Sequence, residues 1–328
     1  MQTTEVPGAA VAAPTRTLLS RTVSDPLPNR LNPSFPRAIL PGHDAMSMGG
    51  QEIELDRRGN PTQYQDMMDN IKSCFAIGFP PLLKLKKEGR RNGKMILVGG
   101  GPSVKKDLET IRTLAADRAN CLLCHNDAHD WLLMNNIVPW GVVFMEVAYI
   151  PGYGQFLQNA RKPINYLIAS QSHPSVFQTL LKKDVKIVVW HARQEVGNMM
   201  IEKYLFENDH DGINIGGGCN GMMRSFHIGS AKGFRNYEIF GADSSYDPET
   251  GQTHTYYDMR GQDESYKETV ITYKGRSFRT SLYLARQAQD FDELMNVYSK
   301  DLSITVHGDG LIPWMAMTRG LHVSQKRK

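Results

Sequence analysis

Residues 94–104 read KMILVGGGPSV, and no other stretch constrains the fold as much. Met95 to Val98 form a short apolar run bounded by Lys94 and by glycines, the pattern of a strand buried on both faces of a parallel sheet. Gly99, Gly100 and Gly101 follow, then Pro102 and Ser103, then Leu108, Ile111 and Leu114 at helical spacing. A strand that runs through glycines into a helix N-terminus lets backbone approach a ligand closely. It also aims unpaired N–H groups and a positive dipole end at that ligand, which favours phosphate. A tight strand-to-helix turn without a ligand accounts for the same residues. A P-loop does not, because no Gly-Lys-Ser/Thr follows at the required spacing.

The rest of the chain repeats the alternation. Asn120 to Cys124, Trp140 to Met145, Asn165 to Ala169, Val185 to Val189, Tyr237 to Phe240 and Ser303 to Val306 read as strands. Ala128 to Met134, Ser175 to Lys182 and the stretch through Met222, Phe226 and Ala231 read as helical. Strands alternating with helices give βαβ units. The predicted fold class is therefore α/β, a Rossmann-like, mostly parallel sheet with helices on both faces, its ligands at the carboxyl ends of the strands.

Before this domain the chain changes character. Eight of the seventeen prolines fall before Gln63, with few large apolar residues among them. Such a segment does not bury enough surface to offset its ordering entropy. Residues 1–62 are expected to form an extended or flexible arm, 63–320 the nucleotide-binding domain and 321–328 a basic tail. An arm of this kind strapped on a neighbouring subunit is a route to a homo-oligomer. No apolar run approaches the length of a membrane span, and four cysteines without a secretory signal point to reduced thiols and a cytoplasmic protein. The net charge of +4 is mild, and the basic runs from Lys84 to Arg91 and at Lys326 to Lys328 read as solvated faces, so nothing requires nucleic acid.

Three constellations invite chemistry. Cys121 to His125 spells the C-x-x-C-H of haem attachment, but it sits in an apolar strand, where successive side chains face opposite sides. A zinc site from Cys121, Cys124, His125 and His129 lacks a second ligand pair at ribbon spacing, and buried thiols explain the pattern better. Gly216, Gly218 and Gly221 match the G-x-G-x-x-G fingerprint, with Asp243 about twenty residues on, which leaves a nicotinamide or flavin dehydrogenase open. The loop 241–257, GADSSYDPETGQTHTYY, gathers Asp243, Asp247, His254, Tyr246, Tyr256 and Tyr257 after a strand. There a histidine is placed to move a proton, tyrosines to hydrogen-bond a phosphate, and carboxylates to hold a metal or orient the histidine.

Four blocks together resemble one superfamily: GGGPS at 99–103, Asn126 after the second strand, IGGGCNGMMRSFHIGSAKGF at 215–234 leading to YEIFGAD at 237–243, and the Thr253-His254 pair. That superfamily contains the bacterial sialyltransferases that use CMP-sialic acid, the motility-accessory-factor glycosyltransferases of flagellin, and the 6-hydroxymethylpterin pyrophosphokinase-like (MptE-like) proteins. The resemblance covers roughly 94–317, and HGDGLIPW at 307–314 resembles the last nucleotide-side loop of those enzymes. Gly100 stands where the sialyltransferases carry Asn, and Glu146 where many relatives place an Asp, so the donor need not be CMP-sialic acid.

The resemblance implies a glycosyltransferase-like transferase with a nucleotide-sugar donor, most readily a CMP-linked one. The donor would lie across Gly99, Gly100, Gly101, Pro102 and Ser103 and across Gly216, Gly217, Gly218 and Asn220, with Asn126 touching the nucleotide. His254 would take the proton from an acceptor hydroxyl on a glycan, a protein or a modified nucleic-acid base. Tyr256 and Tyr257 would stabilise the leaving phosphate, with Asp243 beside them. No cofactor is fixed: Mg²⁺ on Asp243 and Asp247 belongs to the alternative, a pterin-type pyrophosphokinase. A third reading is a non-catalytic assembly protein that reuses the fold.

Overall fold

The computed structural model describes residues 46–48, 51–52, 61–77, 88–147, 157–193, 203–205, 207, 214–255 and 267–324 of the 328-residue chain. Apolar runs of four or five residues become strands buried throughout or at all but their first residue: β3 (Lys94–Val98), β4 (Cys121–His125), β5 (Gly141–Phe144) and β6 (Asn165–Ala169). They follow two short strands, β1 (Ser47–Met48) and β2 (Gln51–Glu52). Farther on come β7 (Lys186–Ala192), β8 (Asn214–Ile215), β9 (Asn236–Phe240), β10 (Thr269–Tyr273), β11 (Arg276–Thr280), β12 (Ser303–His307) and β13 (His322–Ser324). Nine of these form one sheet, in the order β13-β12-β9-β3-β4-β5-β6-β7-β8, and every pairing in it is parallel.

The alternation of the pleat assigns the helices to faces. Ile96, Val98, Leu122, Cys124, Val142, Phe144, Tyr166 and Ile168 share a core with side chains of α1 (Pro61–Ala76), α2 (Leu108–Ala116), α3 (Ala128–Met134) and α4 (Pro174–Leu181). The opposite parity takes α5 (Gly221–Ala231): a Cβ at its first residue would lie 3.3 Å from Val143, and Phe226 stacks on Tyr237 with ring centres 5.2 Å apart. Helices α6 (Leu282–Tyr298) and α7 (Leu311–Thr318) complete the order. Both sheet faces are thus covered, which is why the strands read as unbroken apolar runs. No described helix is long and apolar enough to cross a membrane.

Strand order decides where a ligand can sit. From β3 the chain moves outward through β4 to β8, then returns to place β9 on the other side of β3. Connections therefore diverge between β3 and β9, a topological switch point, where the loops leaving two adjacent strands open a crevice.

The second sheet, β11-β10-β1-β2, is antiparallel. Its hairpin turns at Lys274 and Gly275, both at positive φ, as a two-residue turn matched to strand twist requires. Ser47 pairs with Thr272, so strands that lie within the predicted arm join this sheet. Residues 1–45 and the tail from 325 lie outside the described residues.

Candidate active site

The two loops at the switch point are stitched together by backbone. Gly99 N–H donates to the Phe240 carbonyl at 2.8 Å, Gly101 N–H to the Gly241 carbonyl at 2.9 Å, and Ser103 N–H to Asp243 Oδ2 at 2.9 Å. Val104 N–H closes the turn on the Gly101 carbonyl at 3.2 Å, and Pro102 has no N–H to offer. Within this turn the Gly100 N–H has no partner among the described residues. The sequence pattern suggested a row of donors facing an anion; most of that row instead holds β3 to β9.

The glycines are required by this closeness. A Cβ on Gly101 would lie 2.5 Å from the Gly241 carbonyl oxygen and 2.4 Å from Asp243 Oδ2. One on Gly100 would lie 2.1 Å from Asp127 Oδ1.

An open cleft of about 980 Å³, continuous with solvent, lies over these carboxyl ends. It is lined by Gly99, Gly100 and Gly101 from β3, His125, Asn126 and Asp127 from β4, and Met145 and Glu146 from β5. Asn220 and Gly221 from the start of α5, Asp243 just after β9, and Thr253 and His254 from the loop beyond also line it. His254 is held from two directions. Its Nδ1 lies 2.9 Å from Thr253 Oγ1, and the next residue, Thr255, donates its N–H to the Gly100 carbonyl at 2.7 Å and its hydroxyl to the Gly101 carbonyl at 2.8 Å.

Other predicted residues have different surroundings. Asn126, at positive φ, donates from Nδ2 to Glu146 Oε1 at 2.7 Å, which fixes its amide across the mouths of β4 and β5. Asn220 caps α5, its Oδ1 accepting from Met223 N–H at 3.0 Å. Asp243 is 3% exposed; burial pushes its carboxyl up to about 6, although the Ser103 N–H favours the charged form. Its backbone carbonyl also receives the Ile312 N–H at 3.2 Å, so Asp243 clamps the loops after β3, β9 and β12 together.

Pro102, Ser103, Gly216, Gly217 and Gly218 do not line the cleft. The second glycine cluster packs on α5 and α6: a Cβ on Gly218 would lie 3.0 Å from Met223 Cβ and 3.2 Å from Asp290 Cβ, and the following Cys219 N–H donates to Asp290 Oδ2 at 2.7 Å. It also follows a two-residue strand at the sheet's edge, away from the switch point where a dinucleotide would bind. Asp247 turns its carboxylate back on its own loop, accepting from the Glu249 and Thr250 N–H groups at 3.0 and 2.7 Å. Burial pushes that carboxyl up, but the Thr250 and Glu249 donors outweigh it and leave it below the usual range. Asp247 is thus engaged apart from Asp243. Among the described residues no group of three or more His, Cys, Asp or Glu is arranged to hold a metal. Tyr256 and Tyr257 lie outside the described residues.

The thiols of β4 are inert for the reason their strand predicts: burial pushes Cys121 up to about 12 and Cys124 well above its usual range. His125 is a buried bridge, Nδ1 at 3.1 Å from the Val98 carbonyl and Nε2 at 2.8 Å from Ser225 Oγ. Burial pulls its imidazole down to about 4, so it is neutral at pH 7.

Sequence reasoning missed Asp127 as a site residue. It reads as a helix opening, yet it is 3% exposed, lines the cleft and leaves Oδ2 without a hydrogen-bond partner. The signal was its place two residues beyond a buried strand at the switch point.

A covered parallel sheet with a polar cleft at its switch point defines the class of open, doubly wound α/β folds. Residues 65–249 match the family model described as 6-hydroxymethylpterin diphosphokinase MptE-like. The match spans more than half of the chain, and the protein belongs to that family. No curated protein matches it. Among solved structures it is similar to the MAf glycosyltransferase from Magnetospirillum magneticum AMB-1, at 14% identity and a TM-score of 0.55. That match covers 84% of this chain and 39% of the other, so the chain spans about two fifths of that protein's length. A mammalian sialyltransferase is matched at 11% identity and a TM-score of 0.38, over 76% of this chain and 86% of the other. The likeness to the MAf enzyme is one of fold.

Proposed function

We propose that the protein is a glycosyltransferase-like enzyme that binds a nucleotide-sugar, most readily CMP-linked, at the switch-point cleft and transfers the sugar to a hydroxyl acceptor. The observation that carries this reading is the placement of His254 in the same cleft as the Gly99–Gly101 turn and the Asn126 amide. His254 takes the acceptor hydroxyl proton, the oxygen forms a bond to the sugar carbon that bears the phosphate, and the carbon–phosphate oxygen bond breaks. The electron pair leaves with the nucleotide phosphate. Negative charge grows on that phosphate as the bond breaks, so donors fixed in advance lower the barrier more than they stabilise the ground state. The Gly100 N–H is one such donor, and Tyr256 and Tyr257 follow His254 closely enough in the chain to supply others. Asn126 orients the nucleotide, and Asp243 acts by holding the loops. Reaction in the cytoplasm agrees with four cysteines that are all free.

The test is a thermal-shift screen with CMP, UDP, GDP and ATP, with and without Mg²⁺. A ligand that binds only the folded state raises its melting point by mass action. Stabilisation by CMP without metal supports the reading; no response to any nucleotide overturns it. The family description favours one second reading, diphosphate transfer from ATP to a pterin alcohol. That chemistry requires Mg²⁺, so stabilisation by ATP alone, abolished by chelator, selects it.

A further inference from the structure

We propose that Asp127 is the ionic partner of His254, a positioning residue that holds and charges the imidazole across the Gly100 turn. Asp127 and the loop that carries His254 come from separate strands and both approach one residue, Gly100. The Asp127 carboxylate lies so close to Gly100 that a Cβ there would be 2.1 Å from Oδ1. The Gly100 carbonyl receives the Thr255 N–H at 2.7 Å, which pins the residue after His254 to the same place. Gly100 therefore admits the carboxylate on its Cα side while its carbonyl anchors the histidine loop. Both side chains line the cleft.

Asp127 is also costly where it stands. It is 3% exposed, and Oδ2 finds no hydrogen-bond partner among the described residues, an arrangement that persists when an opposite charge compensates it. Burial pushes its carboxyl above the usual range; the facing His254 and the N–H groups of Asp127 and Ala128 oppose that, and Asp130 on α3 adds to it. The other titratable groups on the cleft are His125, Glu146, Cys219, Asp243 and Tyr283. His125 is neutral, Glu146 accepts from Asn126 and Asp243 from Ser103, while the His254 charge acts on the Asp127 carboxyl. When His254 takes a proton it becomes an imidazolium, and a fixed carboxylate stabilises that form. The kinetic consequence rests on reading His254 as the general base; the pairing itself does not.

The test is histidine NMR on the full chain, following the His254 Cε1–H resonance, assigned by its loss in His254→Gln, from about pH 5 to pH 9. Removing a nearby opposite charge lowers a histidine's midpoint, so Asp127→Asn is expected to shift it down. The His125 resonance reports whether the variant has kept its fold. An unchanged His254 midpoint in a folded Asp127→Asn protein overturns the proposal. If Asp127→Asn does not fold, the reciprocal measurement decides: the Asp127 carboxyl midpoint rises by about one unit in His254→Gln if the pair exists, and stays put if it does not. In a transfer assay, Asp127→Asn is expected to lower kcat about 10- to 100-fold at unchanged donor KM and to move the acidic limb of the profile down. A shifted midpoint with normal turnover keeps the pair and removes the general-base reading instead.

Discussion

At the scale of single residues, burial and close approach dominate. His125 binds no proton in the folded state until about pH 4, whereas an unfolded histidine binds one near 6.5. The unfolded chain therefore holds the extra proton between these values. Its stabilisation is complete above 6.5, falls as pH drops toward 4, and amounts to a few kcal/mol. Asp243 acts in the opposite sense, because its folded value is raised to about 6. The clean measurement is thus the difference in urea stability between wild type and His125→Gln, which should be less favourable to the wild type at about pH 4 than at about pH 7. At the turn, Gly101→Ala must displace the Gly241 carbonyl and the Asp243 carboxylate, and should lose ~1–3 kcal/mol. Gly89→Ala, with nothing within 4 Å, should stay within about 0.5 kcal/mol. His254→Ala should keep nucleotide affinity while losing ~10²–10⁴-fold in turnover; normal turnover and an unchanged pH profile would remove it as the base. The sequence made His254 visible because a histidine among tyrosines and carboxylates stands out. Asp127 did not stand out, since an acidic residue at a helix start has an ordinary capping explanation.

At the scale of elements, the glycine patterns are legible as turns but not as sites. GGGPS and GGGCNG look alike in the chain, yet one closes the switch point while the first glycines of the other follow β8, at the far end of the six strands from β3, and pack on α5 and α6. Asn220 illustrates the same ambiguity: it lines the cleft, and it also caps α5. Asn220→Ala should cost ~1 kcal/mol of stability, while Asn220→Asp keeps the cap. Nucleotide affinity retained in the Asp variant and reduced in the Ala variant would show that the residue acts by setting the helix start. The β10–β11 hairpin escaped the sequence reading although TVITYKGRSFRT alternates around a Lys-Gly turn, with Ile271, Tyr273 and Phe278 buried and Val270 exposed. It bears on the site because the Tyr246 N–H donates to the Arg279 carbonyl at 2.7 Å, and Thr280 donates its hydroxyl to the Ser244 carbonyl at 2.8 Å. Those contacts fix the exit from β9 just beyond Asp243.

At the scale of the whole molecule, the division of the chain moves. Proline density marked residues 1–62 as one arm, but β1 and β2 belong to the hairpin sheet and Met46 is buried. Removing 1–43 should leave urea unfolding cooperative with an unchanged midpoint, whereas removing 1–60 strips β1 and β2 from β10 and should lower it. Equal midpoints in the two truncations would make those strands dispensable. The chain by itself determined the α/β class, the parallel sheet, most strand positions and the glycine turn, because each is written locally in the period of apolar residues and in a few backbone-permissive positions. It could not determine the order β9-β3-β4, which depends on a return across the whole sheet. Nor could it show that the turn's N–H groups are engaged by β9, or that the Asp127 carboxylate and the loop carrying His254 both come to Gly100. Those facts depend on residues more than a hundred positions apart occupying the same few ångströms, and only the packed tertiary structure brings them there.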